Sequence, residues 1–203
     1  DEIGRAFAPA DAARRAEEDI HTLVEAELTA RAGDLGRKIH RGKSRNDQVA
    51  TDLRLWSAEA AAARADDVRS LALALVARAD EWLAAGHVLP GYTHLQQAEP
   101  VLAAHWALAH VEALRRDVRR LGQVREAALA ACPLGSAALS GTPAAIDRAA
   151  LARDLGFAAP SANSIDAVSD RDFALGFLHV AHLFLVHASR LAEDLVLFST
   201  REF

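Results

Sequence analysis

The chain has 203 residues, of which 51% are hydrophobic, 25% charged and 5% aromatic, and its formal net charge is −5. This mild charge, with basic residues scattered among acidic ones, gives no indication of a nucleic-acid partner. No apolar run reaches the length expected of a membrane span, and no secretory signal opens the chain. The single cysteine, Cys132, rules out an internal disulfide and fits a reducing compartment, so we expect a cytoplasmic protein.

The first half of the chain carries two predicted helices of very different length. Apolar residues recur at helical spacing over residues 16–31 and again over 48–85. The second segment contains neither glycine nor proline, and a helix of that length would extend for about 57 Å. Helices this long are typical of bundles and coiled coils and are unusual in compact mixed folds.

Two further helices are predicted behind prolines that would occupy their first turns. One covers residues 101–121 behind Pro100, because an N–H at the first helical position would have no partner and proline lacks it. The other covers residues 144–155, which Thr142 would cap and Pro143 would begin.

The last predicted helix, over residues 177–203, carries two apolar stripes. One stripe recurs every seven residues, at Phe177, Phe184, Leu191 and Phe198. A second stripe of leucine and alanine begins at Leu178, so we expect this helix to pack on more than one side. Apolar residues do not alternate with period two in any segment, so no β-sheet is predicted. The predicted fold is therefore all-α, a bundle of long helices.

The connectors between the helices concentrate the polar chemistry, and the first of these is the segment 38–47. It is rich in His, Lys, Arg, Ser and Asn donors and runs into the N-terminus of the longest helix. Free N–H groups and the helix dipole favour anions there, so Ser44, Arg45 and Asn46 could bind a carboxylate or phosphate. Alternatively, Asn46 or Asp47 caps the helix and the basic residues are only solvated.

The second connector, 86–99, contains the adjacent polar residues Thr93 and His94. A threonine hydroxyl can donate to a carboxylate, and a histidine can move protons near neutral pH. A histidine in a loop is more often an ordinary surface residue. Spacing alone therefore leaves both interpretations open.

Two downstream connectors are rich in small or acidic residues. Small residues over 132–143 permit tight turns and close ligand approach, and they equally suit an ordinary helix–helix connection. The segment 163–172 offers Ser164 or Ser169 as a helix cap. We interpret Arg171, which lies between two aspartates, as a structural ion-pair hub rather than a ligand.

Together and in this order, the four connectors resemble those of the argininosuccinate lyase family of the fumarase/aspartase superfamily. The most specific parts are Ser-Arg-Asn-Asp-Gln-Val-Ala-Thr-Asp at 44–52 and Gly-Tyr-Thr-His-Leu-Gln at 91–96. The similarity covers essentially the whole chain. Its remaining segments are 18–22, 133–142, 163–173 and 191–203.

The resemblance implies a lyase that cleaves argininosuccinate to L-arginine and fumarate in arginine biosynthesis, without a metal ion or an organic cofactor. His94 would be the catalytic residue, acting in proton transfer or charge stabilisation. The substrate-binding residues implied by the family pattern are Ser44, Arg45, Asn46, Thr93 and Gln96, with His21 a weaker candidate.

The family forms homotetramers around a central bundle, with each site assembled from different subunits. That arrangement would account for apolar stripes on two sides of one helix, and the four connectors then need not meet within one chain. We expect residues 1–47 to end an N-terminal domain and 48–203 to form the central bundle domain, incomplete at its C-terminal end. A flexible family loop with a catalytic serine and a lysine would follow Phe203.

Glu99 departs from the family pattern, which has glutamine there, and adds negative charge near an anionic substrate. A sister lyase acting on another N-substituted succinate therefore stays open, although the motif at 44–52 argues against adenylosuccinate. The other alternative is a non-catalytic helical protein, like the lens crystallins related to this family. The presence of Thr93 and His94 disfavours this alternative. We expect the 203-residue segment alone to be inactive.

Overall fold

The computed structural model describes residues 18–201, and it confirms an all-α bundle built on three long helices. The helices are α1 (Ile20–Ala32), α2 (Asp34–Arg37), α3 (Arg45–Ala84), α4 (Ala103–Leu129), α5 (Arg148–Asp154), α6 (Ser164–Ser169) and α7 (Asp172–Phe198), with a 3-10 turn at Lys38–His40. Strands β1 (Val88–Thr93) and β2 (Gln96–Leu102) form one antiparallel pair. The expected helical starts and ends at residues 16–17 and 202–203 lie outside the described residues.

The core lies between α3 and α4, which run antiparallel. Ala79 of α3 packs against Ala104 and Ala107 at one end of α4, and Ala58 packs against Ala128 at the other end. Alanine at these positions lets the two helix backbones approach closely. Valine and leucine side chains fill the middle of the interface.

The second connector is a β-hairpin and not the irregular loop that we expected. Pro100 lies in β2 opposite Pro90, so it does not begin a helix, and α4 starts only at Ala103. The hairpin residues from Tyr92 to Pro100 are all exposed in this chain. A strand pair with no buried face needs no apolar alternation, which is why the pattern was absent.

Glycine misled the prediction of two helix boundaries. We expected α4 to end before Gly122, but it continues through this glycine to Leu129. We expected α7 to start after Gly176, but it begins at Asp172 and contains this glycine. A single glycine inside a long helix costs only about 1 kcal/mol, which the packing of α4 and α7 outweighs.

Two short helices use caps other than those predicted. The Asp147 carboxylate accepts from the N–H groups of Ala149 and Ala150, so α5 starts after Asp147 and not at Thr142 and Pro143. The Asn163 side chain caps α6, in place of Ser164 or Ser169. Aspartate and asparagine are among the strongest N-caps because their side-chain oxygens accept readily from free N–H groups.

α7 packs through only one of its two apolar stripes. Phe177, Val180 and Phe184 contact the core between α3 and α4. Leu178 and Leu185 on the second stripe are each 63% exposed. Among the described residues, α7 is long and apolar enough to cross a membrane by length and composition, which corrects the expectation from the sequence. The core helices of soluble proteins also meet this criterion, so length and composition alone do not make α7 a membrane span.

Candidate active site

Three of the four polar connectors meet at the N-terminal end of α3. The loop 133–142, which follows α4, contacts Asn46 and Asp47 through hydrogen bonds. The 163–172 segment reaches the same end through Asp170, which pairs with Arg54 of α3. The antiparallel return of α4 causes this clustering, because it carries the chain back along the whole length of α3.

The hairpin with His94 lies at the opposite end of α3. A helix of 40 residues is about 60 Å long, and a six-residue strand extends for about 20 Å. Even a hairpin folded back along α3 would therefore leave His94 more than about 35 Å from Ser44. The chain holds two half-sites, which we call the capped half-site (Ser44–Asn46 with loop 133–142) and the hairpin half-site (Thr93–Gln96).

In the capped half-site, Ser44 is the N-cap of α3 and Asp47 completes a capping box. The Asp47 carboxylate accepts from the Ser44 N–H at 2.8 Å, and the Ser44 hydroxyl oxygen accepts from the Asn46 N–H at 3.4 Å. Ser44 is therefore the N-cap, in place of Asn46 or Asp47, and Asp47 supplies the return bond of the capping box. Because the Ser44 hydroxyl acts as an acceptor in this contact, no described hydrogen bond uses its hydrogen. Ligand binding by Ser44, Arg45 and Asn46 stays a prediction.

Arg45 is occupied by partners within the chain. Its guanidinium contacts Asp19 at 3.2 Å and Glu25 at 3.2 Å, and it donates to the side chains of Gln48 and Thr22. Three of these partners, Asp19, Thr22 and Glu25, lie in α1 or at its N-cap, and Gln48 lies on α3 itself. The arrangement makes Arg45 a link between α1 and α3, with little left to offer a ligand.

Glu25 on α1 gathers the other basic side chains of the first connector. Lys43 lies 3.0 Å and His40 3.2 Å from its carboxylate. Burial opposes ionisation of Glu25, but the hydrogen bonds from Lys43, His40 and Arg45 outweigh it and lower the pKa from 4.5 to about 2. These basic residues are therefore ion-paired and are not simply solvated.

His21 lies beside the same end of α3 but does not contact Ser44 or Asn46 in any described hydrogen bond. Its Nδ1 is 3.4 Å from the Asp52 carboxylate. Burial raises the pKa of Asp52, and the nearby positive charges of His21, Lys43 and Arg45 oppose that effect.

The hairpin half-site presents His94 at the first position of a two-residue turn. Thr93 pairs with Gln96 across the strands, and His94 and Leu95 between them have φ values of 54° and 60°. Positive φ at both positions belongs to the type I′ turn that matches strand twist, yet asparagine and glycine usually occupy it. A strained turn made of histidine and a leucine that is 92% exposed favours a functional role for this tip.

Within residues 18–201, no group of three or more His, Cys, Asp or Glu side chains is placed to hold a metal ion. The motif residues of the two half-sites offer hydroxyl, amide, imidazole and backbone N–H groups. Such groups bind carboxylates and move protons.

A family model described as "Lyase" matches residues 9–203. The chain belongs to this lyase family. It is 52% identical over 186 residues to the argininosuccinate lyase of Pseudoalteromonas atlantica, covering 92% of this chain and 40% of that protein. It is 54% identical over 192 residues to the argininosuccinate lyase of Roseiflexus castenholzii, covering 94% of this chain and 41% of that protein. The resemblance drawn from the motifs is confirmed.

The lyase fold also appears in a solved structure of an EDDS lyase variant with bound fumarate. The two chains superpose with a TM-score of 0.79 and are 31% identical, over 88% of this chain and 35% of that chain. The chain thus spans about 40% of the length of the curated relatives that it matches.

Two buried polar residues that support the capped end and the bundle were missed at the level of sequence. Arg54 falls on the buried face of α3 with Ala50, Ala58 and Ala61, and it pairs with Asp170. Arg171, which we expected to be an ion-pair hub, donates to backbone carbonyls of its own segment and forms no ion pair with another residue of the range 18–201. A charged residue in register with buried alanines was the signal that could have identified Arg54.

Asp117 of α4 is the second missed residue, and it is 0% exposed. His187 of α7 lies 2.6 Å from its carboxylate and Arg120 lies 3.0 Å away. The contact between His187 and Asp117 joins α7 to α4 across 70 residues of sequence. A lone aspartate within an apolar helical stripe was again the available signal.

Proposed function

We propose that this chain is the central part of an argininosuccinate lyase, which cleaves argininosuccinate to L-arginine and fumarate in arginine biosynthesis. The observation that carries the proposal is the pairing of two motif-bearing half-sites with more than 50% identity to proteins of that name. In this proposal residues 1–47 end an N-terminal domain, and 48–203 form the central bundle domain. The intact protein works in the cytoplasm.

The reaction requires removal of a proton from a carbon beside a carboxylate and cleavage of a carbon–nitrogen bond. The electrons of the broken C–H bond form the double bond of fumarate, and the guanidino nitrogen leaves with its electron pair and takes up a proton. Negative charge accumulates on the carboxylate before the nitrogen departs. Fixed hydrogen-bond donors aimed at that carboxylate lower the barrier. Groups that transfer protons remove the proton from the carbon and supply one to the departing nitrogen.

The proposal gives each half-site a share of this work. His94 is the catalytic residue, in proton transfer or charge stabilisation, and Thr93 and Gln96 contact the substrate beside it. Ser44 and Asn46 bind substrate from the capped half-site through the hydroxyl hydrogen and the side-chain amide. Arg45 acts indirectly in this scheme, because its donors already serve partners on α1 and α3.

The half-sites of one active centre come from different copies of the chain in a homotetramer. Two features support this proposal. His94 lies more than about 35 Å from Ser44 within one chain, by the helix length given above. In addition, the second apolar stripe of α7 is unpacked, and exposed leucines on a long helix are typical of a surface that another helix covers.

The test is the release of fumarate by the intact protein from argininosuccinate, followed by ultraviolet absorbance, with adenylosuccinate offered in parallel. We expect turnover of argininosuccinate alone. His94→Asn should lower kcat by about 100-fold or more, because proton transfer contributes on that scale. His87→Asn is the matched control at the exposed base of the same hairpin and should retain activity. Turnover of adenylosuccinate but not argininosuccinate would contradict the proposal.

A sister lyase acting on another N-substituted succinate is the second candidate. The 31% identity and TM-score of 0.79 to an EDDS lyase variant favour it over any unrelated activity. Fumarate release from EDDS, with none from argininosuccinate, would establish this alternative. No release from either by a correctly assembled protein would instead favour the non-catalytic, crystallin-like role.

The separation of the half-sites also bears on the 203-residue segment itself. We expect a single copy of the 203-residue segment to release no fumarate, because its two half-sites are too far apart to bind one substrate. Measurable fumarate production by this segment would show that the half-sites suffice.

A further inference from the structure

Asp47 is the most completely buried charged side chain at the capped half-site, and it binds to two segments of the chain at once. It is 0% exposed. One carboxylate oxygen accepts from the Ser44 N–H at 2.8 Å, and the other accepts from the N–H groups of Gly135 at 2.9 Å and Ala137 at 2.8 Å. A buried carboxylate that is satisfied by three N–H groups fixes the positions of all three donors.

The loop residues that donate to Asp47 have positive φ angles, a backbone conformation that other contacts must stabilise. Gly135 has φ +96° and Ala137 has φ +53°, and the second value is unfavourable for a residue with a Cβ. The φ of Gly135 favours glycine, and a Cβ there would also lie 3.0 Å from Cγ of Arg148, a tight contact that the arginine side chain would have to relieve by shifting. The two inward-facing N–H groups form a small anion-binding concavity that Asp47 fills.

Asn46, beside Asp47, binds to the same loop by a second bond. Its Nδ2 donates to the Ala138 carbonyl at 3.0 Å. That bond sets the side-chain torsions of Asn46, and it leaves the amide oxygen and one amide hydrogen unused by any described partner. Loop 133–142 and the Ser44–Asn46 segment therefore form one unit, 88 to 92 residues apart in sequence.

We propose that Asp47 is a positioning residue for the lyase reaction: its carboxylate holds loop 133–142 against the start of α3 and so orients Ser44 and Asn46 toward the substrate. The inference rests on the proposed function for its substrate. Asp47 does not itself contact the reacting atoms. Its effect passes through Ser44, whose N–H it binds, and through Asn46, whose amide meets the loop that it anchors.

The first test is Asp47→Asn in the intact protein. An asparagine of the same shape turns an NH2 group toward either the Ser44 N–H or the loop N–H groups, so one side of the contact is lost. We expect KM for argininosuccinate to rise by about 10-fold or more, the scale of a lost hydrogen bond to a charged group, while kcat changes by less than about 3-fold. Asp67→Asn, which alters an exposed pair with Arg64 on the same helix, should change neither constant.

The second test approaches the contact from the loop. Gly135→Ala should raise KM in the same way, because the added Cβ displaces the N–H group that faces Asp47. If both residues act through one contact, the double variant should raise KM no more than the larger single change. Multiplied effects in the double variant would overturn the shared route.

A readout without substrate separates this inference from the proposed function. Amide hydrogen exchange of residues 133–142 should accelerate in Asp47→Asn by about 10-fold or more relative to wild type and to Asp67→Asn, at a temperature where all are folded. Unchanged exchange together with unchanged KM overturns the inference. A loss of activity that only follows the fraction unfolded also overturns it. If wild type releases no fumarate, the proposed function fails, and the exchange result then decides only whether Asp47 holds loop 133–142 in place.

Discussion

The guanidinium of Arg54 pairs with the carboxylate of Asp170 and thereby ties the 163–172 segment to the capped end of α3. The same guanidinium donates to the carbonyls of Ala127 and Ala128 at the end of α4, and it lies 4.4 Å over the ring of Phe173. One side chain thus closes the C-terminal end of α4 and fixes the start of α7. The planar fork of arginine suits this task because its donors point to several acceptors at once.

Arg54→Lys should therefore lower the free energy of unfolding by about 2–4 kcal/mol, because the single nitrogen of lysine cannot reach both the carboxylate and the carbonyls that two separate guanidinium nitrogens contact. Urea denaturation of the intact protein measures the change. Arg69→Lys, in an exposed pair with Asp66, is the matched control and should change it by less than about 0.5 kcal/mol. Equal effects at the two positions would contradict the assigned role.

The docking of α7 should depend on His187. His187→Ala removes the closest partner of the fully buried Asp117 carboxylate and leaves only Arg120, so we expect a loss of about 2–3 kcal/mol in the free energy of unfolding. His179→Ala, at an exposed position of the same helix away from the Leu178 and Leu185 stripe, should have a much smaller effect. A small effect at His187 would mean that Asp117 finds water or another donor in its place.

The ion-pair cluster around Glu25 predicts a pH dependence of stability. The pKa of Glu25 falls from 4.5 to about 2 in the folded protein, so the ionised carboxylate stabilises the fold above about pH 4.5. This contribution is lost as the pH falls from 4.5 through 2. Glu25→Gln should cost about 1–2 kcal/mol at pH 7, since solvent screens the partly exposed cluster, and the cost should vanish near pH 2.

Unfolding by urea at a series of pH values compares wild type with Glu25→Gln. Glu59→Gln, an exposed position on α3, supplies the control and should follow wild type at every pH. A difference between wild type and Glu25→Gln that stays constant down to pH 2 would show that the side chain acts by packing and not by charge.

Glu99 should affect the proposed activity only weakly, despite its departure from the family pattern. It lies three residues along β2 from Gln96, at the base of the turn, a separation of about 10 Å for an extended strand, which exceeds the Debye length of about 8 Å at physiological ionic strength. We expect Glu99→Gln to change KM for argininosuccinate by less than about 2-fold. Gln96→Glu places the same charge beside the turn and should raise KM by several-fold; a larger effect at Glu99 would contradict this geometry.

Much of the fold could be predicted because long helices leave a strong local pattern. The apolar spacing over 48–85 and 177–203 identified α3 and α7, and only their ends were misplaced. The hairpin β1–β2 could not be predicted in this way, since neither face is buried within the chain and no alternation was needed. Helix caps such as Asp147 were missed where several polar residues compete for one role.

The sequence by itself determined the helical class, the family and the motif residues around Ser44 and His94, because these depend on residue identity and on spacing along the chain. Only the tertiary structure decided how those residues relate in space. It placed the two half-sites at opposite ends of a 40-residue helix and joined Asp47 to a loop almost 90 residues away. The physical reason is that a rigid helix keeps its ends apart, whereas a buried carboxylate must find its N–H partners wherever the fold brings them.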